Sequence, residues 1–295
     1  MGVKDFLGII RAPFIILAIV CVFLGVATAY RSGAEINLIH LILVFLGGIA
    51  AHISVNSLNE YYDFRCGLDF KTIKTPFSGG SGTLINKPHL ARYALFIGAV
   101  SSIVVFLIGI YFVLLRGIPM FLVGLIGLIM VTLYPVIFVK NFVMSLIAPG
   151  LGFGTSMVLG THIALGGSLG LREVLVSFVP FFLVNNLLLL NQFPDKEPDE
   201  GVGRENVVIL LGRKKAALVY TFFNISAYLI IIFGIIWGEF NVLTAFGLLT
   251  IIFAIPASIK AIKYADDLKS LLPAQGMNVI VNIFTPLLIA IGLFL

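Results

Sequence analysis

Two groups of carboxylate and amide residues dominate the chemistry available to this sequence. The first comprises Asn59, Glu60, Asp63 and Asp69, and the second Asp195, Glu197, Asp199, Glu200 and Glu205, so together they hold more than half of the fourteen acids. Asn59 and Asp63 are four residues apart, which on a helix puts both side chains on one face where they can converge on a cation, with Glu60 alongside. Asp195 and Asp199 repeat that spacing, with Asn191 one turn earlier, although Pro194 and Pro198 suggest that a regular helix does not persist there. All of these donors are oxygens. Such a set suits a hard ion such as Mg²⁺, which keeps waters and commonly bridges carboxylates to substrate phosphates. One cluster alone would read as charge that keeps a loop in water, but two clusters of matching spacing point to a site. For Glu197, Glu200 and Glu205 taken singly, surface charge remains the better reading.

The same helical face continues backwards from Asn59 to Asn56 and His52. Polar groups that deep in an apolar helix are costly to expose to lipid, so they are expected to line a cavity. Facing carboxylates would repel a bare diphosphate, and a divalent metal removes that conflict. Lys71, Lys74, Arg204 and Lys140 are the cations placed to neutralise what charge remains. The glycine-rich run Phe77–Thr83 has neither the order of a P-loop nor that of a dinucleotide-binding turn, and reads equally as a flexible loop. Cys21 and Cys66 stand apart, without the spacing of a zinc site or a disulfide framework.

The elements that must position these residues are membrane helices. Of the 295 residues 60% are hydrophobic and only 11% charged, far below the quarter expected in a soluble domain. Apolar runs predict an all-α bundle of about nine transmembrane helices, at 13–30, 37–62, 91–114, 118–138, 142–162, 172–192, 216–237, 240–262 and 275–295, forming a single membrane domain over 1–295. The first run lacks a convincing cleavage site and is expected to be retained. Alternate loops carry all but three of the nineteen basic residues, the exceptions being Arg31, Arg116 and Arg172. The positive-inside rule then puts the N-terminus and both acidic clusters in the cytoplasm and the C-terminus outside. Arg213, Lys214 and Lys215 read as part of this topological signal, and the formal charge of +5 does not imply nucleic acid. Asn59-Glu60-Tyr61-Tyr62-Asp63 and Asn191-Gln192-Phe193-Pro194-Asp195 share Asn-x-aromatic-x-Asp, four helices apart. This faint repeat predicts two equivalent four-helix units plus one helix, with the clusters facing each other across a central cavity.

These residues resemble the motifs of the UbiA superfamily of intramembrane prenyltransferases. Asn59-Glu60-x-x-Asp63 is similar to the first family motif, with Glu in place of its first Asp, and Asp195-x-x-x-Asp199 is similar to the second. Gly67 occupies the position of a final Asp, with Asp69 two residues later, an arrangement that looks most like the menaquinone-pathway branch, whose acceptor is dihydroxynaphthoate. Lys71-x-x-Lys74-Thr75-Pro76, Arg11-Ala12-Pro13, Tyr134 and Lys140 resemble further family positions. The resemblance implies a helical bundle with a cytoplasmic cap, and Mg²⁺-dependent transfer of a prenyl group from a prenyl diphosphate. Asn59, Glu60, Asp63, Asp69, Asp195 and Asp199 would hold one or two Mg²⁺ ions. Lys71, Lys74, Arg204 and Lys140 would bind diphosphate, while Arg11, His52, Asn56, Tyr61 and Asn191 would line the cavity or meet the acceptor. Tyr61 or Tyr134 would stabilise an allylic cation. The implied partners are a prenyl diphosphate, a small-molecule or lipid acceptor and membrane lipid, with no obligatory protein partner. A glycerol-phosphate lipid is the alternative acceptor. An ion-coupled transporter is the contrasting class, but it would place its essential groups near the midplane rather than at one face. The dense DGxxAR…GxxxDxxxD pattern of CDP-alcohol phosphotransferases is not present.

Overall fold

The computed structural model describes all 295 residues, and the chain is helical throughout, without strands. Eight helices are long and apolar enough to cross a membrane, and a shorter apolar helix joins them. In chain order the nine are α1 (Ala12–Arg31), α2 (Leu38–Arg65), α3 (Pro88–Arg116), α4 (Ile118–Leu133), α5 (Phe142–Ala164), α6 (Leu171–Glu200), α7 (Arg213–Ile236), α8 (Val242–Lys263) and α9 (Leu268–Phe294). The expected fourth helix ends at Leu133: Pro135 has no N–H to give the carbonyl of Val131, and the chain turns there. Starts are marked by side-chain caps. The Asn37 oxygen accepts from the amides of Ile39 and His40, Asn141 caps α5 through Met144, and Asn241 caps α8 through Thr244.

Two helices overrun their expected ends. α2 continues to Arg65 and α6 to Glu200, lengths of 28 and 30 residues. At about 1.5 Å per residue each exceeds the roughly 30 Å of hydrocarbon, so all of the two acidic clusters but Asp69 and Glu205 sits on helix ends instead of in loops. The predicted break at Pro194 does not occur. Proline there removes the bond to the carbonyl of Leu190, but that carbonyl accepts from the Gln275 side chain of α9 at 3.2 Å, so the helix runs on without an orphaned acceptor.

Each helix packs on its neighbours in sequence, and α9 closes the ring against α1. The principal core joins Leu24 of α1, Leu183 of α6, Ile231 of α7 and Ile289 of α9, all fully buried. Large apolar side chains such as Phe96, Ile103 and Leu107 of α3 and Ile252 and Ile259 of α8 face outward, as a lipid solvent allows. The chain is a multi-pass integral membrane protein.

Candidate active site

The ends of α2 and α6 face each other across an open cavity, which α1, α4 and α5 also border. Asn59 and Asp63 from α2 and Asn191, Asp195 and Asp199 from α6 all line it, so the repeated Asn-x-aromatic-x-Asp motif places both copies around one space. Asn59 donates from its amide to the Asp63 carboxylate at 3.1 Å, which leaves the amide oxygen available to a cation. Arg204, from the segment after α6, donates to Asp63 and, at 3.1 Å, to Asp199, and so spans the two clusters. Burial opposes the charge on its guanidinium, yet Asp63 and Asp199 beside it hold it more firmly protonated than usual. Asn206 donates to the other Asp199 oxygen at 3.2 Å and caps the short helix Val207–Leu211.

The segment after α2 folds back over this end. It buries Asp69, and burial, reinforced by the charges of Asp63 and Glu60, pushes that carboxyl up to about 7 although Arg11 and Arg204 pull the other way. Phe77, Ser78, Gly79 and Gly80 form part of the cavity wall. Gly80 has φ +68, and a Cβ there would come within 2.9 Å of the Asp69 carboxylate, so glycine is required both by the turn and by the space. The glycine-rich run is therefore a built wall of the site rather than an unattached loop.

Several expected site residues stand elsewhere. Glu60 does not line the cavity. Its two oxygens accept from Arg11 Nε at 2.8 Å, the Ser81 amide at 2.8 Å and the Ser81 hydroxyl at 2.7 Å, so it fastens Arg11 and the glycine-rich wall. Tyr61 packs with Ile9, Leu84 and Leu90 in a satellite core outside the cavity, because residue 61 turns away from the face shared by 52, 56, 59 and 63. Lys140 is exposed and outside the lining, since the turn at Pro135 carries it past the mouth. Lys71 and Lys74 are also exposed; Lys71 donates to the Gly201 carbonyl at 3.3 Å and Lys74 to that of Ser81, so both tie the covering segments together. Arg11, His52, Asn56, Asn191 and Tyr134 do line the cavity. Arg11 is the one non-glycine residue with positive φ, 48°, a strained backbone that aims its side chain at Glu60 and the cavity. Gln192 and Asn206 were not singled out by the sequence, although an Asn directly before Val-Val-Ile-Leu-Leu is a legible helix cap.

The arrangement fits a magnesium ion. The donors are oxygens on two facing helix ends, and Asp195 Oδ1 is buried without any partner. No three carboxylates form a closed cage by themselves. That suits an ion that keeps waters and takes some of its ligands from a substrate.

The family model for the UbiA prenyltransferase family matches residues 18–278. This chain belongs to that family. Within it, the chain is 24% identical over 269 residues to the 1,4-dihydroxy-2-naphthoate octaprenyltransferase of Bacillus subtilis, covering 88% of this chain and 83% of that one. It is 26% identical over 227 residues to the digeranylgeranylglyceryl phosphate synthase of Pyrococcus furiosus, covering 76% and 75%. A UbiA homologue from Aeropyrum pernix superposes with a TM-score of 0.71 at 19% identity over 95% of this chain and 96% of that one. A homologue from Archaeoglobus fulgidus bound to DMAPP and Mg²⁺ superposes with a TM-score of 0.61 at 15% identity, over 97% and 99%. This UbiA-family protein is thus a prenyltransferase by family, with the family fold. The cavity-lining carboxylates lie together at one end of the bundle, which sets aside the transporter reading.

Proposed function

We propose that the protein transfers a prenyl group from a prenyl diphosphate to an aromatic quinone precursor such as dihydroxynaphthoate, with Mg²⁺ on the diphosphate. The observation that carries this reading is the pair of facing oxygen clusters, joined by Arg204, above a cavity whose deeper walls are apolar. Asn59, Asp63 and Asp69 on one side and Asp195 and Asp199 on the other would hold the ion. When bound, Mg²⁺ supplies the positive charge that stabilises a departing diphosphate. Arg204 would turn its guanidinium from the carboxylates to the phosphate oxygens, and Lys71 and Lys74 would reinforce the cover from outside. Closing that cover would keep water from an allylic cation until the acceptor attacks. Tyr134, whose hydroxyl burial keeps neutral although the charge of Arg204 pulls the other way, presents an aromatic ring for cation–π stabilisation, a role to which Tyr61, outside the cavity, is not placed.

For the acceptor, Arg11 is the only lining cation besides Arg204. With its Nε on Glu60, its remaining N–H groups suit a carboxylate. His52, Asn56 and Asn191 add neutral groups for ring hydroxyls. The similarity to the Pyrococcus synthase supports a second reading, a glycerol-phosphate lipid acceptor. The uneven distribution of basic residues supports a cytoplasmic N-terminus and active face, with the C-terminus outside.

The test is pyrophosphate release from geranylgeranyl diphosphate with a panel of aromatic and glycerol-phosphate acceptors, with and without Mg²⁺. Release should need metal and one acceptor class, and fall by about a hundredfold to a thousandfold in Asp63→Ala and Asp195→Ala, the loss expected when charge stabilisation of the leaving group is removed. Absence of release across chain lengths and acceptors, from folded protein, would overturn the assignment.

A further inference from the structure

Glu60 is the most deeply buried carboxylate of the chain, with no accessible surface, and it lies outside the reaction cavity. A carboxylate taken out of water keeps its charge only where a cation and hydrogen-bond donors meet it. Here the donors come from two segments, Arg11 Nε at 2.8 Å on one side and the amide and hydroxyl of Ser81, at 2.8 and 2.7 Å, on the other. Neither Glu60 nor Ser81 lines the cavity, whereas Arg11 does.

The two segments belong to one packed unit. The short helix Val3–Ile9, which leads into Arg11, lies against the chain that follows Ser81. Ile9 is buried with Leu84 and Leu90, Asp5 pairs with Lys87 at 2.7 Å, and a Cβ at Gly8 would collide with the Thr83 hydroxyl. That packing fixes the backbone on both sides of Glu60. It also leaves Arg11 in a left-handed turn, φ 48°, from which its side chain reaches back to α2. Glu60 takes the guanidinium by Nε, the nitrogen nearest the backbone. The two outer nitrogens keep their N–H groups for a ligand, and the side chain remains partly accessible where it lines the cavity. With Nε occupied, the free end of the guanidinium is a pair of parallel donors, the geometry that meets a carboxylate bidentately.

We propose that Glu60 is a positioning residue for the acceptor: by holding Arg11 at Nε it presents the end of the guanidinium to the cavity, and so makes the protein favour an aromatic acceptor that carries a carboxylate over one that lacks it. This rests on the prenyl-transfer reading above and names the group on the acceptor that the site reads. The metal-ligand role suggested by spacing alone makes a different demand. A ligand acts on the ion, so its loss is felt first in the metal requirement, while a positioning oxygen acts on Arg11, so its loss is felt first in the choice of acceptor.

The experiment compares kcat/KM for dihydroxynaphthoate and for dihydroxynaphthalene, which lacks the carboxylate, with geranylgeranyl diphosphate as donor, in the wild type, Glu60→Ala and Glu60→Gln. The Mg²⁺ concentration for half-maximal rate is recorded in each. The wild type should prefer the carboxylated acceptor by at least about tenfold, and Glu60→Ala should cut that preference about tenfold, the low end of what a charge-assisted contact contributes. The change should be carried by KM of the carboxylated acceptor, with a smaller shift in the Mg²⁺ midpoint. Glu60→Gln keeps an oxygen for Arg11 Nε and should hold the preference to within about threefold of wild type. Titrating hydroxynaphthoate and naphthol into the protein in EDTA should show the same loss of preference in Glu60→Ala without turnover. An unchanged preference in Glu60→Ala, a Mg²⁺ midpoint that shifts by more than the preference, or a Glu60→Gln as impaired as Glu60→Ala would overturn the positioning role and leave prenyl transfer standing. A wild type inactive with both acceptors would overturn the aromatic-acceptor reading and this inference with it. Should Glu60→Ala not fold, Glu60→Asp, one methylene short of Arg11, tests the same ratio in the same direction.

Discussion

At the scale of single residues, Arg204 and Asp69 decide how the site waits for its ligands. Arg204 binds two buried carboxylates that belong to different helices. Removing one member of a buried ion pair leaves uncompensated charge, at a cost of about 3–5 kcal/mol. Arg204→Ala should therefore lower the melting temperature in EDTA, and Mg²⁺ should restore more of it than it adds to wild type. An equal Mg²⁺ shift in both proteins would mean that the cation site does not include these carboxylates. Asp69, with its carboxyl near 7, holds a proton at mildly acidic pH that a cation must displace. Mg²⁺ affinity without diphosphate is expected to tighten as pH rises from 6 to 8, and Asp69→Asn should flatten that slope; titration calorimetry in two buffers would count the released proton. Glu60 shows the limit of reading spacing alone. Its neighbours in sequence are cavity residues, but its hydrogen bonds commit it to Ser81 and Arg11.

At the scale of elements, the site depends on two helices that run past the apolar layer and on the means that let them do so. The carbonyl of Leu190, freed by Pro194, is taken by Gln275. Gln275→Leu should leave it unpaired in an apolar interior, costing about 1–3 kcal/mol. The expected result is a lower melting temperature together with faster exchange of the amides around residues 195–200, read by hydrogen–deuterium exchange; unchanged exchange there would show that α6 needs no such support. The glycine-rich wall is the second such device. Gly80→Ala puts a methyl group against Asp69 in a left-handed backbone, so kcat/KM should drop by about tenfold or more while the global melting temperature changes little.

At the scale of the whole molecule, the ring of helices brings every cavity-lining acid to one end. Cys66 is exposed beside that end, whereas Cys21 is buried in α1. In sealed right-side-out vesicles a membrane-impermeant maleimide should therefore fail to label the protein until the membrane is opened, and Cys66→Ser should abolish labelling. Labelling of intact vesicles would reverse the orientation drawn from the basic residues.

Much of this was legible in the sequence by itself. Hydrophobic runs determined the helices, because lipid demands long apolar segments whose backbone groups are satisfied within the segment. The four-residue spacing determined that Asn59 and Asp63 share a face, because helical periodicity is local, whereas Asn191, Asp195 and Asp199 share one only because α6 runs on through Pro194. The tertiary structure alone decided what those local rules cannot carry. It paired Arg204 with acids from both clusters, turned Glu60 and Tyr61 out of the cavity, and took up the carbonyl freed at Pro194 with a side chain from α9. Each of these rests on groups far apart in the chain meeting in space, and such encounters are fixed by how the helices pack around the ring, not by the spacing within any one of them.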